Sequence, residues 1–178
     1  MFIYFMPNIY QPREDSFLLE KYVKKLARGH VLDMGTGSGI QAIAALEKAE
    51  TVTAIDINPN SINNFKNKKI TFIRSDLFSS LESKRKFDTI IFNAPYLPEE
   101  GARDPALDGG KKGHETIERF LKQAKDHLEQ DGIILLVFSS LTNKEKVDQI
   151  IKDNGYRSEL LEKVHVSFED IYCYKLWF

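Results

Sequence analysis

Short β-rich apolar runs alternate along the chain with stretches whose apolar positions recur at helical spacing. Val31 to Met34 is the first short apolar strand, followed by glycines and then by Gln41 to Ala49, whose composition favours helix. Thr51 to Asp56 is a second strand, and Pro59 then suits the first turn of another helix, where its missing N–H costs no bond. Ile70 to Arg74 and Phe87 to Phe92 read as a third and a fourth strand. From about Glu115 to Glu129, Ile117, Phe120, Leu121, Ala124 and Leu128 mark one face of a helix. Gly132 to Phe138 is apolar without alternation, as a strand covered on both faces should be. A further helix over Lys144 to Asp153 is stopped by Gly155.

The end of the chain departs from this alternation. Ser158 to Phe168 and Asp170 to Phe178 both read as strands with no helix between them, which predicts an antiparallel pair attached to a parallel sheet. Ahead of the first strand, Ser16 to Leu26 carries Phe17, Leu18, Tyr22 and Leu26 at helical spacing, with Asp15 or Ser16 placed to cap it. The pattern predicts a doubly wound α/β fold that finishes in a β-hairpin. No repeat or low-complexity linker divides residues 1–178, so one domain is expected.

At 178 residues the length fits that expectation, and 42% apolar residues are enough to build a core rather than a disordered chain. Lysine and arginine total 25 against 26 aspartates and glutamates, so the chain lacks the basic excess of a protein that tracks a nucleic-acid backbone. Local basic clusters do occur, at Lys66, Lys68 and Lys69 and at Lys84, Arg85 and Lys86. The single cysteine, Cys173, can form neither an internal disulfide nor a cysteine zinc site. His30, His114, His127 and His165 lack ligand spacing, and no metal is expected. The longest apolar run, Ile133 to Phe138, is far short of the roughly 20 residues that cross a bilayer. Met1 to Met6 lacks the basic flank of a secretion signal, so a cytoplasmic protein is expected.

Candidate chemistry begins at Asp33-Met34-Gly35-Thr36-Gly37-Ser38-Gly39, between the first strand and the next helix. Glycines there let the backbone turn tightly and let a ligand approach closely. A dinucleotide fingerprint would need a glycine where Ile40 stands, and the Gly-Lys-Ser/Thr of a phosphate-binding loop is missing. The segment instead resembles the acid-x-Gly-x-Gly-x-Gly loop of class I S-adenosylmethionine-dependent methyltransferases. That resemblance implies a Rossmann-like, mostly parallel seven-stranded sheet with helices on both faces and a C-terminal antiparallel hairpin. It implies S-adenosyl-L-methionine as cofactor, with S-adenosyl-L-homocysteine as product, held by Asp33, Gly35, Thr36, Gly37 and Gly39. Asp56 ends the second strand, where a carboxylate can accept bonds from both ribose hydroxyls, with Ile57 beside it. Asp76 and Leu77 match the positions that meet the adenine amino group and ring.

The fourth strand runs into Asn93-Ala94-Pro95-Tyr96, which resembles the Asn-Pro-Pro-Tyr motif of methyltransferases acting on the nitrogen of an amide or a nucleobase. Such a nitrogen is a poor nucleophile because its lone pair is delocalised. The Asn93 side-chain oxygen and the Ala94 carbonyl could accept its two N–H bonds and aim the lone pair at the methyl group, while Tyr96 packs on the planar face. Alanine stands at 94 where the family usually has proline, and Pro95 still biases residue 94 toward extended backbone. Asn93 would also touch the cofactor.

Tyr10-Gln11-Pro12-Arg13-Glu14-Asp15-Ser16-Phe17-Leu18-Leu19 resembles the N-terminal signature of HemK-like glutamine N5-methyltransferases, in particular the short archaeal and eukaryotic branch that modifies class I release factors. The resemblance places Ser16 on the cofactor and has the segment 1–28 cover its site. Ala106-Leu107-Asp108-Gly109-Gly110-Lys111-Lys112-Gly113 resembles the family's Gly-Gly-x-x-Gly segment. It also implies a small zinc-binding activator of the Trm112 type on the edge strand Ile70 to Arg74. The function implied is methyl transfer to the glutamine amide in the Gly-Gly-Gln loop of a release factor. Adenine N6 methylation, lysine methylation and a cofactor-binding scaffold without activity are the alternatives, with nucleic acid disfavoured by the neutral charge.

Overall fold

The computed structural model describes residues 11–64, 69–95 and 113–178. Within them the chain runs α1 (Glu14–Leu26), β1 (Gly29–Met34), α2 (Ile40–Ala45), β2 (Ala49–Asp56), β3 (Ile70–Arg74), β4 (Phe87–Asn93), α3 (Glu115–His127), β5 (Leu128–Ser139), α4 (Lys144–Asp153), β6 (Arg157–Val166) and β7 (Glu169–Trp177). The strands form one seven-stranded sheet in the order β3-β2-β1-β4-β5-β7-β6. The first five positions are parallel, while β7 pairs antiparallel with both β5 and β6, which is the hairpin finish the sequence predicts.

Period-two alternation assigns each strand side chain to one face. Leu32, Met34, Ile90, Phe92, Ile134, Leu136 and Phe138 join Ile117, Phe120 and Leu121 of α3 and Val147 and Ile150 of α4 in one core. Val31, Ile91, Leu135 and Val137 join Leu18, Leu19 and Val23 of α1 and Ala42 and Ala45 of α2 in the other. Strand β5 is therefore covered on both sides, with Ile134 through Phe138 all at 0% exposure, as its unbroken apolar run requires.

Several boundaries differ from the sequence reading. Helix α2 ends at Ala45 and not at Ala49, because Ala49 is drawn into β2 as the partner of Gly29. Pro59 starts a 3₁₀ turn, Pro59–Asn64, in place of an α-helix. Strand β5 begins at Leu128, which pairs with Phe87. The ladder resumes only at Ile133, so 129–131 bulge out as exposed residues. Helix α1 starts at Glu14, Arg13 at its N-cap makes no side-chain cap, and Asp15 and Ser16 are buried inside the first turn. Phe17, read as part of the apolar face, points outward and is 55% exposed.

The chain returns from β3 to place β4 beside β1, on the opposite side from β2. Ligands in such sheets bind beyond the carboxyl ends of the strands, at the point where the strand order reverses. Here that point lies between β1 and β4, and the glycine loop and Asn93 leave from those two ends. No helix among the described residues is long and apolar enough to cross a membrane.

Candidate active site

The glycine loop is held by its own backbone and by two carboxylates. Gly35, Gly37 and Gly39 have φ of +63°, +50° and +82°, a left-handed conformation that side chains resist. Crowding is not the reason for glycine, since a Cβ at Gly35 would meet only the Phe92 ring at 3.6 Å. Backbone handedness is. Asp33 is 1% exposed, and its Oδ2 accepts from the Thr36 hydroxyl at 2.5 Å and from the Ala42 N–H at 3.0 Å. It thereby ties the loop to α2, and burial pushes its carboxyl pKa up to about 7. So enclosed, the Asp33 carboxylate and the Thr36 hydroxyl are engaged with the loop itself.

Asp56 stands at the rim, half-buried. Its Oδ2 accepts from the Gly37 N–H at 2.7 Å and its Oδ1 from the Asn58 N–H at 2.8 Å. A carboxylate has about four acceptor sites, so both oxygens keep capacity for a diol. Ile57 next to it is 47% exposed, an apolar surface left open beside the carboxylate. Asp76 is exposed and pairs with Arg119 of α3 at 2.7 Å. Leu77 is buried in the core at φ +48°, a strained backbone for an apolar side chain. Arg119 was not foreseen from sequence, since an arginine on the polar face of a helix carries no signal of its own.

Asn93 ends β4 with its side chain fixed from one side only. Its Nδ2 donates to Asp15 Oδ2 at 3.0 Å and to the Ser16 hydroxyl at 3.4 Å. Its Oδ1 is buried and has no partner among the described residues. Asp15 is itself 3% exposed, and its Oδ1 accepts from the Ser16 N–H at 2.6 Å. Gln41 of α2 donates to the Ser16 carbonyl at 2.8 Å, linking this turn of α1 to the helix that follows the glycine loop. The sequence offered Asp15 only as a helix cap. The structure makes it the anchor of Asn93. Ala94 is buried, and its N–H donates to the Val137 carbonyl at 3.1 Å, extending the β4–β5 ladder past Asn93. Pro95 is half-buried. Tyr96 and the segment Leu97 to Lys112 lie outside the described residues.

These features fit S-adenosylmethionine. The rim carboxylate has capacity for ribose hydroxyls, the left-handed glycines present bare backbone, and Ile57 offers an apolar face beside them. The chain matches the family model "Methyltransferase small domain" over residues 14–165. A Methanocaldococcus jannaschii protein named "Putative protein N5-glutamine methyltransferase" is 35% identical over 184 residues, covering 96% of this chain and 92% of that one. The release factor glutamine methyltransferase of Koribacter versatilis is 33% identical over 170 residues, and the match covers 83% of this chain and 60% of that longer protein. Among solved structures, the E. cuniculi Mtq2–Trm112 complex, responsible for the methylation of the eRF1 translation termination factor, matches with a TM-score of 0.81 at 25% identity. That match covers 96% of this chain and 98% of the matched chain. Similarity across nearly the full length of both sequences places this chain in the small-domain methyltransferase family, among its S-adenosylmethionine-dependent N5-glutamine methyltransferases.

Proposed function

We propose that the protein methylates the side-chain amide of the glutamine in the Gly-Gly-Gln loop of a class I translation release factor, in the cytoplasm. The observation that carries the reading is Asn93. Its amide nitrogen is held by Asp15, and its oxygen is buried without a partner among the described residues. A buried acceptor left unsatisfied costs about 1–3 kcal/mol, and an N–H of the substrate amide would relieve that cost. The names of the Koribacter versatilis relative and of the Mtq2–Trm112 complex support a release factor as the acceptor.

Asp33, Gly35, Thr36, Gly37 and Gly39, with Ser16, Asp56, Ile57, Asp76, Leu77 and Asn93, are the residues proposed to hold the cofactor. The cofactor supplies an electrophilic methyl group on a sulfonium. The remaining work is orientation. Asn93 Oδ1 and the Ala94 carbonyl accept the two N–H bonds of the substrate amide and hold its nitrogen facing the methyl group, with Tyr96 proposed against the planar face. Fixing reactants in this way can lower a barrier by up to roughly 7–11 kcal/mol. As the new N–C bond formed, the cofactor's S–CH3 bond would break with its electron pair staying on the neutral thioether, and one amide proton would pass to solvent water. The negative charge of Asp15, one hydrogen bond behind Asn93, favours the positive charge that builds there.

Strand β3 is an edge of the sheet among the described residues, and Ile70 to Arg74 is the strand on which we propose a Trm112-type activator adds a strand of its own. The deciding experiment uses radiolabelled S-adenosylmethionine with a class I release factor, the same factor with its loop glutamine replaced, and bulk nucleic acid, each with and without the activator. Label on the factor that vanishes with the glutamine supports the reading. Label on nucleic acid alone overturns it.

A further inference from the structure

Beside Asp15, a cleft of about 720 Å³ opens between the first turn of α1, the turn after β5 and the β6–β7 turn. Asp15, which holds Asn93, lies in its wall, so the cleft adjoins the site through that residue. Three separate elements hold large apolar side chains outward along it. Phe17 of α1 is 55% exposed, Leu141 after β5 is 46% exposed, and Phe168 at the hairpin turn is 99% exposed. Folding gives no reason for this exposure. Phe17 faces away from the helix side that carries Leu18, Leu19 and Val23 into the core. The turn that carries Phe168 is fixed on both sides, with Ser167 at φ +50° and the Glu169 carboxylate accepting from the Ser139 hydroxyl. Apolar side chains gathered around one concave surface mark an interaction site.

Charge narrows the occupant. Glu14 and Glu169 line the cleft with the buried Asp15 behind them, against one guanidinium, Arg13, an acidic excess in a chain of net charge −1. The cleft is also far larger than a single glutamine side chain. We infer that it docks the polypeptide segment flanking the methylated glutamine, taking an apolar side chain against Phe17, Leu141 and Phe168 and a basic one against the carboxylates. The inference rests on the amide reading above. A second copy of this chain seated there would cover the approach to Asn93, whereas a substrate segment is brought to it.

The test compares a class I release factor with a short peptide that carries only its Gly-Gly-Gln residues and cannot span the cleft, with the same activator present throughout. Phe168→Ala and the double variant Phe17→Ala/Phe168→Ala remove exposed rings that support no core packing. For the intact factor, KM should rise about tenfold in the double variant with kcat unchanged. For the short peptide, kcat/KM should not move. Fluorescence anisotropy of the labelled factor, with S-adenosylhomocysteine present, should show the same weakening. Unchanged KM and unchanged affinity overturn the docking, as does a wild-type dimer in sedimentation that Phe168→Ala dissociates. A lowered Tm with unchanged KM also overturns it, because this chain's own residues then pack in the cleft. Transfer to the glutamine that ignores Phe168 sinks the docking and spares the amide reading. A factor that binds through Phe168 but is never labelled on its glutamine does the reverse.

Discussion

Two buried aspartates stand behind the two halves of the site, and they work over different distances. Asp33 bonds Thr36 and Ala42, three and nine residues away, and everything it holds belongs to one loop and the helix that follows. Asp15 bonds Asn93 across 78 residues, joining the first helix to the end of the fourth strand. The outcomes differ as well. Around Asp33 the local polar groups satisfy one another, so the loop is a finished cradle. Asp15 holds Asn93 from one side, through Nδ2, and leaves the Asn93 oxygen buried and unmatched among the described residues. One aspartate builds a surface, and the other aims an acceptor.

The sharpest way to break the comparison is at the aimed acceptor. Asn93→Ala removes the oxygen and should lower kcat by at least about 100-fold, the usual scale for one preorganised polar contact at a reacting centre. Single-turnover methyl transfer measures it. A loss of less than about tenfold would mean that the orphaned oxygen is not the orienting group.

Asp15 comes next. Asp15→Ala frees the Asn93 amide to turn, so its nitrogen can face the substrate where its oxygen should. A loss of about 10- to 100-fold in kcat is expected, with cofactor affinity changed far less. Asp15→Asn can still accept from Asn93 Nδ2 and should recover much of the rate. A merely structural role would instead move both parameters together and show no rescue.

The same contrast explains what the sequence made legible. The strands, the glycine loop and α3 announce themselves because their signals repeat within a few residues, and Ile117, Phe120, Leu121 and Ala124 are buried as their spacing predicts. Asn93 was also legible as a motif. Its anchor was not, because an aspartate beside a serine at a helix start looks like a cap wherever it occurs. Phe17 was misplaced for a related reason. Its spacing fits the apolar stripe, and only the packing of α1 on the sheet decides that Leu18, Leu19 and Val23 face inward and Phe17 outward. Likewise α2 stops early because Ala49 gains a strand partner that helix propensity cannot register.

Asp33 sharpens the comparison through pH. Its carboxyl titrates near 7 in the folded protein and near 3.8 unfolded, so the folded state keeps the proton to higher pH. Unfolding therefore releases a proton between about pH 4 and 7, and stability falls as pH rises through that window, levelling off above it. Asp33→Asn keeps an acceptor for Thr36 and Ala42 but cannot ionise. Between pH 5 and 7 the wild type should lose about 2 kcal/mol more than Asp33→Asn, measured by urea unfolding at each pH. Equal slopes would mean that the carboxyl titrates as it does in the unfolded chain.

The smallest effect concerns the residue beside Asn93. The Asn-Pro-Pro-Tyr motif that Asn93 to Tyr96 resembles has proline where this chain has Ala94, and Ala94→Pro tests whether the alanine has a structural reason. The exchange would stiffen the backbone, a gain of about 0.4–1 kcal/mol through the unfolded state. It would also delete the N–H that bonds the buried Val137 carbonyl at 3.1 Å, a loss of about 1–3 kcal/mol if that oxygen finds no other donor. The loss outweighs the gain, so urea unfolding should show Ala94→Pro less stable by about 1 kcal/mol. The rate should change little, because the carbonyl that faces the substrate amide survives the exchange. A more stable variant would show that the extra ladder bond matters less than a stiff turn, and that this chain aims Asn93 through Asp15 alone.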